Sequence, residues 1–239
     1  MPGDTPTAAV LIIGDEILSG RTRDTNLNTI ARFLAALGIE VLEARTVGDQ
    51  RGQIVEALNA LRAAHDYVFT TGGIGPTHDD ITADCVAEAF GVALAEHPDA
   101  LAILEARYGA DFNAARRRMA RIPEGGSLIA NPVTDAPGFQ IGNVFVMAGV
   151  PKIMTAMLED VAPRMRTGAV VHARTLRVVG SGEGAVAEIL GRVAEARRDL
   201  SLGSYPFGHG SDGEMGTATL AELWKALAEA GIAATPVTD

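Results

Sequence analysis

Residues 70–82, TTGGIGPTHDDIT, place three glycines immediately ahead of two adjacent carboxylates, Asp79 and Asp80. Gly72, Gly73 and Gly75 are free to take backbone angles that a Cβ forbids, so their N–H groups can converge on an anion near a helix N-terminus. Asp79 and Asp80 add hard oxygen donors beside that cradle, the pairing that a Mg²⁺-bridged phosphate or diphosphate ligand requires. A second reading stays open, because Gly-Pro pairs form turns anywhere and an Asp just ahead of a helix often only caps it.

The flanks decide whether such a loop carries weight. Ahead of it lies the apolar strand Tyr67-Val68-Phe69, and behind it Ala83, Val86, Ala87 and Phe90 recur at helical spacing until Gly91. Further upstream, residues 8–13 form a continuous apolar run that reads as a strand buried on both faces, with Asp15 and Glu16 at its end. Asp24 or Thr25 can cap a helix whose apolar face is Leu27, Ile30, Ala31, Leu34 and Leu37. A second strand over residues 39–47 and a second helix from about Gln50 follow. This alternation predicts an α/β fold, a mostly parallel sheet between helical layers. Ligands of such sheets gather at the carboxyl ends of the strands, where Asp15, Glu16, Asp49 and the loop 72–80 all fall.

Residues 97–121 read as helical in two pieces broken near Gly109, the second ending in Arg116, Arg117 and Arg118. Three consecutive arginines cannot share one helix face, so most should be solvated, and a phosphate role is open for one. Short strands are expected at 127–130, 139–141 and 144–147, and Pro151 opens a helix with Ile153, Met154, Met157, Leu158 and Val161 on its apolar side. Arg164 to Ala169 is the candidate boundary, giving domains 1–168 and 169–239. The second is a small α/β unit with strands at 175–179 and 200–205 and helices around 186–193 and 220–227.

Composition bounds the function. At 239 residues, with 47% hydrophobic and 21% charged residues, the chain has the make-up of an ordinary globular protein. No apolar run reaches membrane-spanning length, and the N-terminus lacks a basic segment ahead of its apolar run, so a cytoplasmic location without membrane partners is expected. A net charge of −10 argues against nucleic acid, and an anionic ligand must be attracted locally. Cys85 is the single cysteine, which excludes an internal disulfide; a packing role outweighs a reactive thiol.

GDEILSG (residues 14–20), DTNLNTIA (24–31), TVGD (46–49), TTGGIGPTHDDIT, NPVTDAPGF (131–139) and AGVPKIM (148–154) together resemble the molybdopterin-binding domain family. Within it they resemble the N-terminal domain of the competence/damage-inducible protein A (CinA) family. GSYPFG (203–208) is similar to the small domain that follows in CinA-like proteins. The resemblance implies a three-layer α/β sandwich that binds a pterin phosphate or the diphosphate of ADP-ribose. In the CinA-like branch it implies metal-dependent ADP-ribose pyrophosphatase activity, with a divalent metal such as Mg²⁺ as cofactor, and homo-oligomeric assembly.

Carried over motif by motif, the ligand loop is Gly72, Gly73, Gly75 and Pro76, with Thr77 and His78 beside them. The acidic positions are Asp49, Asp79 and Asp80. Asp15, Glu16, Ser19 and Gly20 match the first motif, and Asn26 and Asn28 the second. As a pyrophosphatase, the chain would use Asp49, Asp79 and Asp80 catalytically and bind metal through some of Asp15, Glu16, Asp79 and Asp80. Two alternatives stand beside it: a pterin-phosphate binding protein or adenylyltransferase near molybdenum cofactor assembly, and an inactive oligomeric scaffold. The chain departs from the pattern in three places. Ala148-Gly149-Val150-Pro151 replaces a proline-richer turn, His78 stands where CinA proteins often carry lysine, and a deamidase domain is not part of these 239 residues.

Overall fold

The computed structural model describes residues 5–170, 176–178, 183–196, 225–229, 231 and 234–236. Its compact units are residues 1–170 and 171–239.

The first unit is built on a six-stranded sheet. In chain order its elements are β1 (Thr7–Ile13), a short α1 (Asp15–Leu18), α2 (Asn26–Ala36), β2 (Glu40–Val47), α3 (Arg51–Ala64), β3 (Tyr67–Thr71) and α4 (Thr82–Phe90). There follow β4 (Leu94–Glu96), α5 (Pro98–Tyr108), α6 (Ala114–Arg117), β5 (Arg121–Pro123), β6 (Ser127–Ile129), β7 (Gly138–Ile141), β8 (Val144–Met147) and α7 (Pro151–Val161). The sheet order is β2-β1-β3-β8-β7-β6. β2, β1, β3 and β8 run parallel, and β7 is antiparallel to both neighbours.

The apolar run of β1 is explained by its two covered faces. Ala9, Leu11 and Ile13 pack with Ile54, Leu58 and Leu61 of α3 and Val86 of α4. Ala8, Val10 and Ile12 pack on the other side with Ile30 and Leu34 of α2 and Met154, Met157 and Leu158 of α7. Helix, sheet and helix therefore form three layers, and the methionines are core side chains. Phe69 and Phe145 stack across β3 and β8 with ring centroids 5.0 Å apart, which joins the two central strands. α4 stops at Gly91, whose φ of 66° is the left-handed cap a residue with Cβ resists.

The two helical pieces expected after residue 97 form with their break near Gly109, and the departure is Arg121, which opens a strand. α5 ends at Tyr108, a 3₁₀ turn spans Gly109–Asp111, and α6 is four residues long. β4 and β5, not anticipated, pair antiparallel as a separate two-stranded sheet. Each is three residues long, too short to show an alternation.

In the second unit, β9 (Leu176–Val178) pairs antiparallel with β10 (Ala234–Pro236), α8 covers Glu183–Ala196, and residues 225–229 are helical. The expected strand at 200–205, GSYPFG and the segment between Gly216 and Leu220 lie outside the described residues.

Candidate functional site

The parallel strands β1, β2, β3 and β8 all deliver their carboxyl ends to one edge of the sheet. The segments that follow them are 14–20, 48–50, 72–81 and 148–150, so every sequence-predicted site residue except Asn26 and Asn28 sits directly after a strand. Asn26 and Asn28 open α2.

Glycine is required where these segments converge. Gly72, at φ 104°, has its N–H donated to Met147 O at 3.2 Å, and a Cβ there would collide with the carbonyl oxygen of Ile13. A Cβ on Gly73, at φ 67°, would strike the Thr82 hydroxyl. Buried Thr82 closes the loop from behind, its Oγ1 donating to Gly72 O at 2.9 Å and its N–H to Gly73 O at 3.0 Å. The N–H groups of Gly73, Ile74 and Gly75 find no protein acceptor among the described residues.

The far side of the loop is held by the carboxylates. Asp80 accepts from Thr77 N–H at 2.7 Å, and its Oδ2 lies 2.5 Å from Thr77 Oγ1. Asp79 Oδ1 lies 2.5 Å from the same hydroxyl. A hydroxyl has one proton, so it donates to one carboxylate at a time and brings the second close without satisfying it. The Thr77 hydrogen bond, with a lesser contribution from a backbone hydrogen bond, lowers the Asp79 carboxyl below its ordinary range. Asp80 does not cap α4: the position before the helix is Ile81, and no side chain caps there. The capping alternative is thereby set aside. His78 points outward, its side chain 99% exposed and Nδ1 3.8 Å from Asp79.

Asp15 and Asp49 answer each other at the ends of β1 and β2. Asp15 N–H donates to Asp49 Oδ2 at 2.9 Å, and Asp49 N–H to Asp15 Oδ1 at 3.3 Å. Gly48 makes room for the pair, since a Cβ there would meet Asp15 Oδ1. Glu16 folds back over Gly14, where a Cβ would come within 2.5 Å of its Oε2. Ser19 donates to Glu16 O at 3.3 Å and accepts from Arg21 Nε at 3.0 Å, and Gly20 turns at φ 72°. Asp24 accepts from the N–H groups of Asn26 and Leu27, so it performs the capping at α2. Asn26 is buried, its Nδ2 donating to Gly149 O at 2.8 Å while its Oδ1 meets no partner among the described residues. It thereby ties α2 to the β8–α7 turn, where a Cβ on Gly149 would lie 3.2 Å from Gly72 Cα. Asn28 is exposed.

Among the described residues no three His, Cys, Asp or Glu side chains converge on a metal-sized position, so a metal held by some of Asp15, Glu16, Asp79 and Asp80 would take at most two of them as ligands. Asp79 and Asp80 remain a two-carboxylate pair, which fits a Mg²⁺ ion that takes its other ligands from water and phosphate and does not fit an all-protein cage. Cys85 is fully buried on α4, and burial pushes its thiol up to about 11, so it packs and does not react.

One residue of the site was not distinguishable in sequence. Arg116 lies 4.3 Å over the Tyr108 ring, Arg117 forms a forked pair with Glu96 at 2.7 and 2.8 Å, and Arg121 a forked pair with Asp84. Arg118 instead lines an open cleft with Gly73, Gly75, Asp80, Met119 and Phe139.

A three-layer α/β domain with an open glycine loop and an acidic pair at the carboxyl edge defines a class of anion-binding proteins. Residues 9–167 match the family described as probable molybdopterin binding domain, and the chain belongs to that family. It is 35% identical to a CinA-like protein of Gemmatimonas aurantiaca over 85% of this chain and 51% of the relative. With a CinA-like protein of Citrifermentans bemidjiense it shares 42% identity over 76% and 46%. The chain thus spans about half the length of these curated relatives. The crystal structure of the protein CinA from Thermoplasma acidophilum is similar at a TM-score of 0.64 and 38% identity, covering 67% of this chain and 98% of that one. No helix among the described residues is long and apolar enough to cross a membrane.

Proposed function

We propose that the chain binds a phosphate-bearing small molecule of the molybdopterin type, with its phosphate on the loop 72–80. The observation that carries this reading is the run of N–H groups at Gly73, Ile74 and Gly75 left without a protein acceptor among the described residues, at the carboxyl edge of the sheet where backbone N–H groups can hold an anion. Membership of the molybdopterin-binding family supports a pterin as the organic part. In this reading the glycines orient the phosphate, Thr82 holds the loop's shape, and Asn26 fixes the neighbouring turn. Titration of the full chain with molybdopterin, followed by fluorescence of the pterin, tests it. Saturable binding that is lost in Gly73→Val is expected, and binding that survives that change refutes the loop as the site.

A second reading, hydrolysis of a diphosphate such as ADP-ribose, is favoured by one feature, the Thr77-bridged pair of Asp79 and Asp80. A divalent ion bound there would neutralise phosphate charge and lower the pKa of an attacking water. The chain's own part is to keep Asp79 ionised through Thr77 and to present both carboxylates beside the phosphate loop. Release of AMP from ADP-ribose in the presence of Mg²⁺, abolished in Asp80→Asn, is the expected result, and its failure leaves the binding reading in place. The proposal extends to a homo-oligomer, which a sedimentation mass of a single 24.9 kDa chain at micromolar concentration contradicts.

A further inference from the structure

We infer that Arg118 is the cation that reads the ligand's phosphate, from the cleft it lines together with the glycine loop, a role for which the outward His78 is poorly placed. The inference rests on the reading of residues 72–80 as a phosphate loop.

The charge balance of the loop calls for such a group. Asp79 and Asp80 put two carboxylates in the same loop as the open N–H groups, so an incoming phosphate meets like charge there. His78, at the position from which a cation could project, is directed into solvent at 99% exposure and leans on Asp79. Four arginines fall between residues 116 and 121, and three are engaged. Arg116 lies on Tyr108 and donates to Asp111 O, Arg117 is forked onto Glu96, and Arg121 is forked onto Asp84.

Arg118 alone of the four has neither a carboxylate nor an aromatic partner among the described residues. Its only contact is Nη2 to the backbone O of Asp80 at 3.5 Å, the outer limit of a hydrogen bond, and its buried Nε has no partner. A guanidinium so placed keeps most of its donor fork, in the cleft that Gly73, Ile74 and Gly75 also line. Its buried Nε is a donor left unsatisfied by the described residues, which an oxygen of a bound anion would satisfy.

The rest of the lining states what else the ligand carries. Met119, Ile122, Pro137 and Phe139 form an apolar wall next to the guanidinium. The cleft is open to solvent, so this wall offers one face to the ligand's organic part and does not enclose it. The ligand class is therefore a phosphate ester or diphosphate of a planar, largely apolar moiety, with the phosphate between Gly73–Gly75 and Arg118.

Calorimetric titration of the full chain with inorganic pyrophosphate, with Mg²⁺ present, tests the assignment on wild type, Arg118→Gln, Arg118→Lys and Arg117→Gln. Arg118→Gln should weaken binding by at least about tenfold and flatten its salt dependence. Arg118→Lys should fall between, since it keeps the charge and loses the fork, and Arg117→Gln, which removes a guanidinium already forked onto Glu96, should stay within about twofold. On the wild-type chain, the Nε–Hε NMR signal of Arg118, assigned by its loss in Arg118→Lys, should shift on titration whatever the stability of the Gln variant. An unmoved Nε–Hε signal, or Arg118→Gln binding within twofold of wild type while Asp80→Asn binds poorly, overturns the role of Arg118 and leaves the phosphate loop standing. A wild-type chain that binds none of pyrophosphate, ADP-ribose and molybdopterin removes both.

Discussion

Asp15 and Asp49 each accept the other's backbone N–H, at 2.9 and 3.3 Å, so the first two strands of the sheet end in a reciprocal carboxylate clasp. The clasp gives Asp49 a structural task where sequence motifs imply a catalytic one. Its neighbour Gly14 also donates to Val47 O, so the clasp continues the β1–β2 pairing past the last paired residues.

Asp49→Ala should therefore cost about 1 kcal/mol of stability, the net size of a hydrogen bond at an exposed position. Asp49→Asn should lose less, because its amide oxygen still accepts from Asp15 N–H. Thermal denaturation of both variants checks this. Equal loss of ligand turnover in both, with unchanged melting, points to Asp49 as a reacting carboxylate instead.

The glycines of the loop are not equivalent. Gly72→Ala drives a methyl group into the Ile13 carbonyl at a positive φ, whereas Gly20→Ala at φ 72° meets nothing within 4 Å. Gly20→Ala should cost only the conformational penalty of about 1 kcal/mol. Gly72→Ala should cost clearly more and abolish ligand binding with it. Parallel urea melts of the two variants give the comparison, and matching midpoints contradict the packing of Gly72 on β1.

Thr77 bridges Asp79 and Asp80 through one hydroxyl proton. Thr77→Val removes the group that lowers the Asp79 carboxyl, so the pH at which Mg²⁺-supported pyrophosphate binding is half lost on acidification should move upward. Asp80→Ala removes the acceptor of Thr77 N–H and should weaken binding far more than it lowers the melting temperature, since no helix cap is lost with it. Binding titrations from pH 7 downward test the first, and binding set beside calorimetric melting tests the second.

How much of this was legible in the chain follows from how local each cause is. β1 reads as doubly buried from Ala8 to Ile13 because both faces are in fact covered, and α4 reads correctly up to Gly91 because its stop is a local left-handed turn. β4 and β5 left no trace, since Leu94–Glu96 and Arg121–Pro123 pair at long range and carry no periodicity of their own. In the site, the glycine loop and its two acids were readable from spacing. That no three of Asp15, Glu16, Asp79 and Asp80 converge was not, because which carboxylates meet is decided by how the loops after the strands cross. Arg118 could not be told from Arg116 and Arg117 for the same reason, as only Tyr108 and Glu96, distant in the chain, engage the other two.

Cys85 gives the protein an alkaline weakness. Its folded-state thiol titrates at about 11 because burial disfavours the thiolate, against about 8.5 for an unfolded chain. The raised value stabilises the fold fully below pH 8.5. Between 8.5 and 11 the unfolded chain gives up its proton first, and stability falls by up to about 3 kcal/mol before levelling. Subtracting the pH profile of Cys85→Ala from that of wild type should isolate this slope from the tyrosines and lysines titrating in the same range. A flat difference between pH 8.5 and 11 rules the mechanism out.

The first unit should stand alone. Its last described residues are stitched to its own core: Gly168 donates to Leu37 O at 3.0 Å, a Cβ on it would run into the Gly38 carbonyl, and Arg166 N–H donates to Tyr67 Oη at 2.7 Å. Met165 is buried among the side chains of α2 and α7. A fragment of residues 1–170 keeps all of these, whereas one ending at residue 163 loses them and uncovers Met165's place in the core. The longer fragment should melt cooperatively and retain pyrophosphate binding, and the shorter should melt several degrees lower, about 4 °C for each kcal/mol lost in a domain of this size. If the 1–170 fragment shows no cooperative transition by circular dichroism, its fold depends on residues beyond Val170 and the stitching at Gly168 is insufficient.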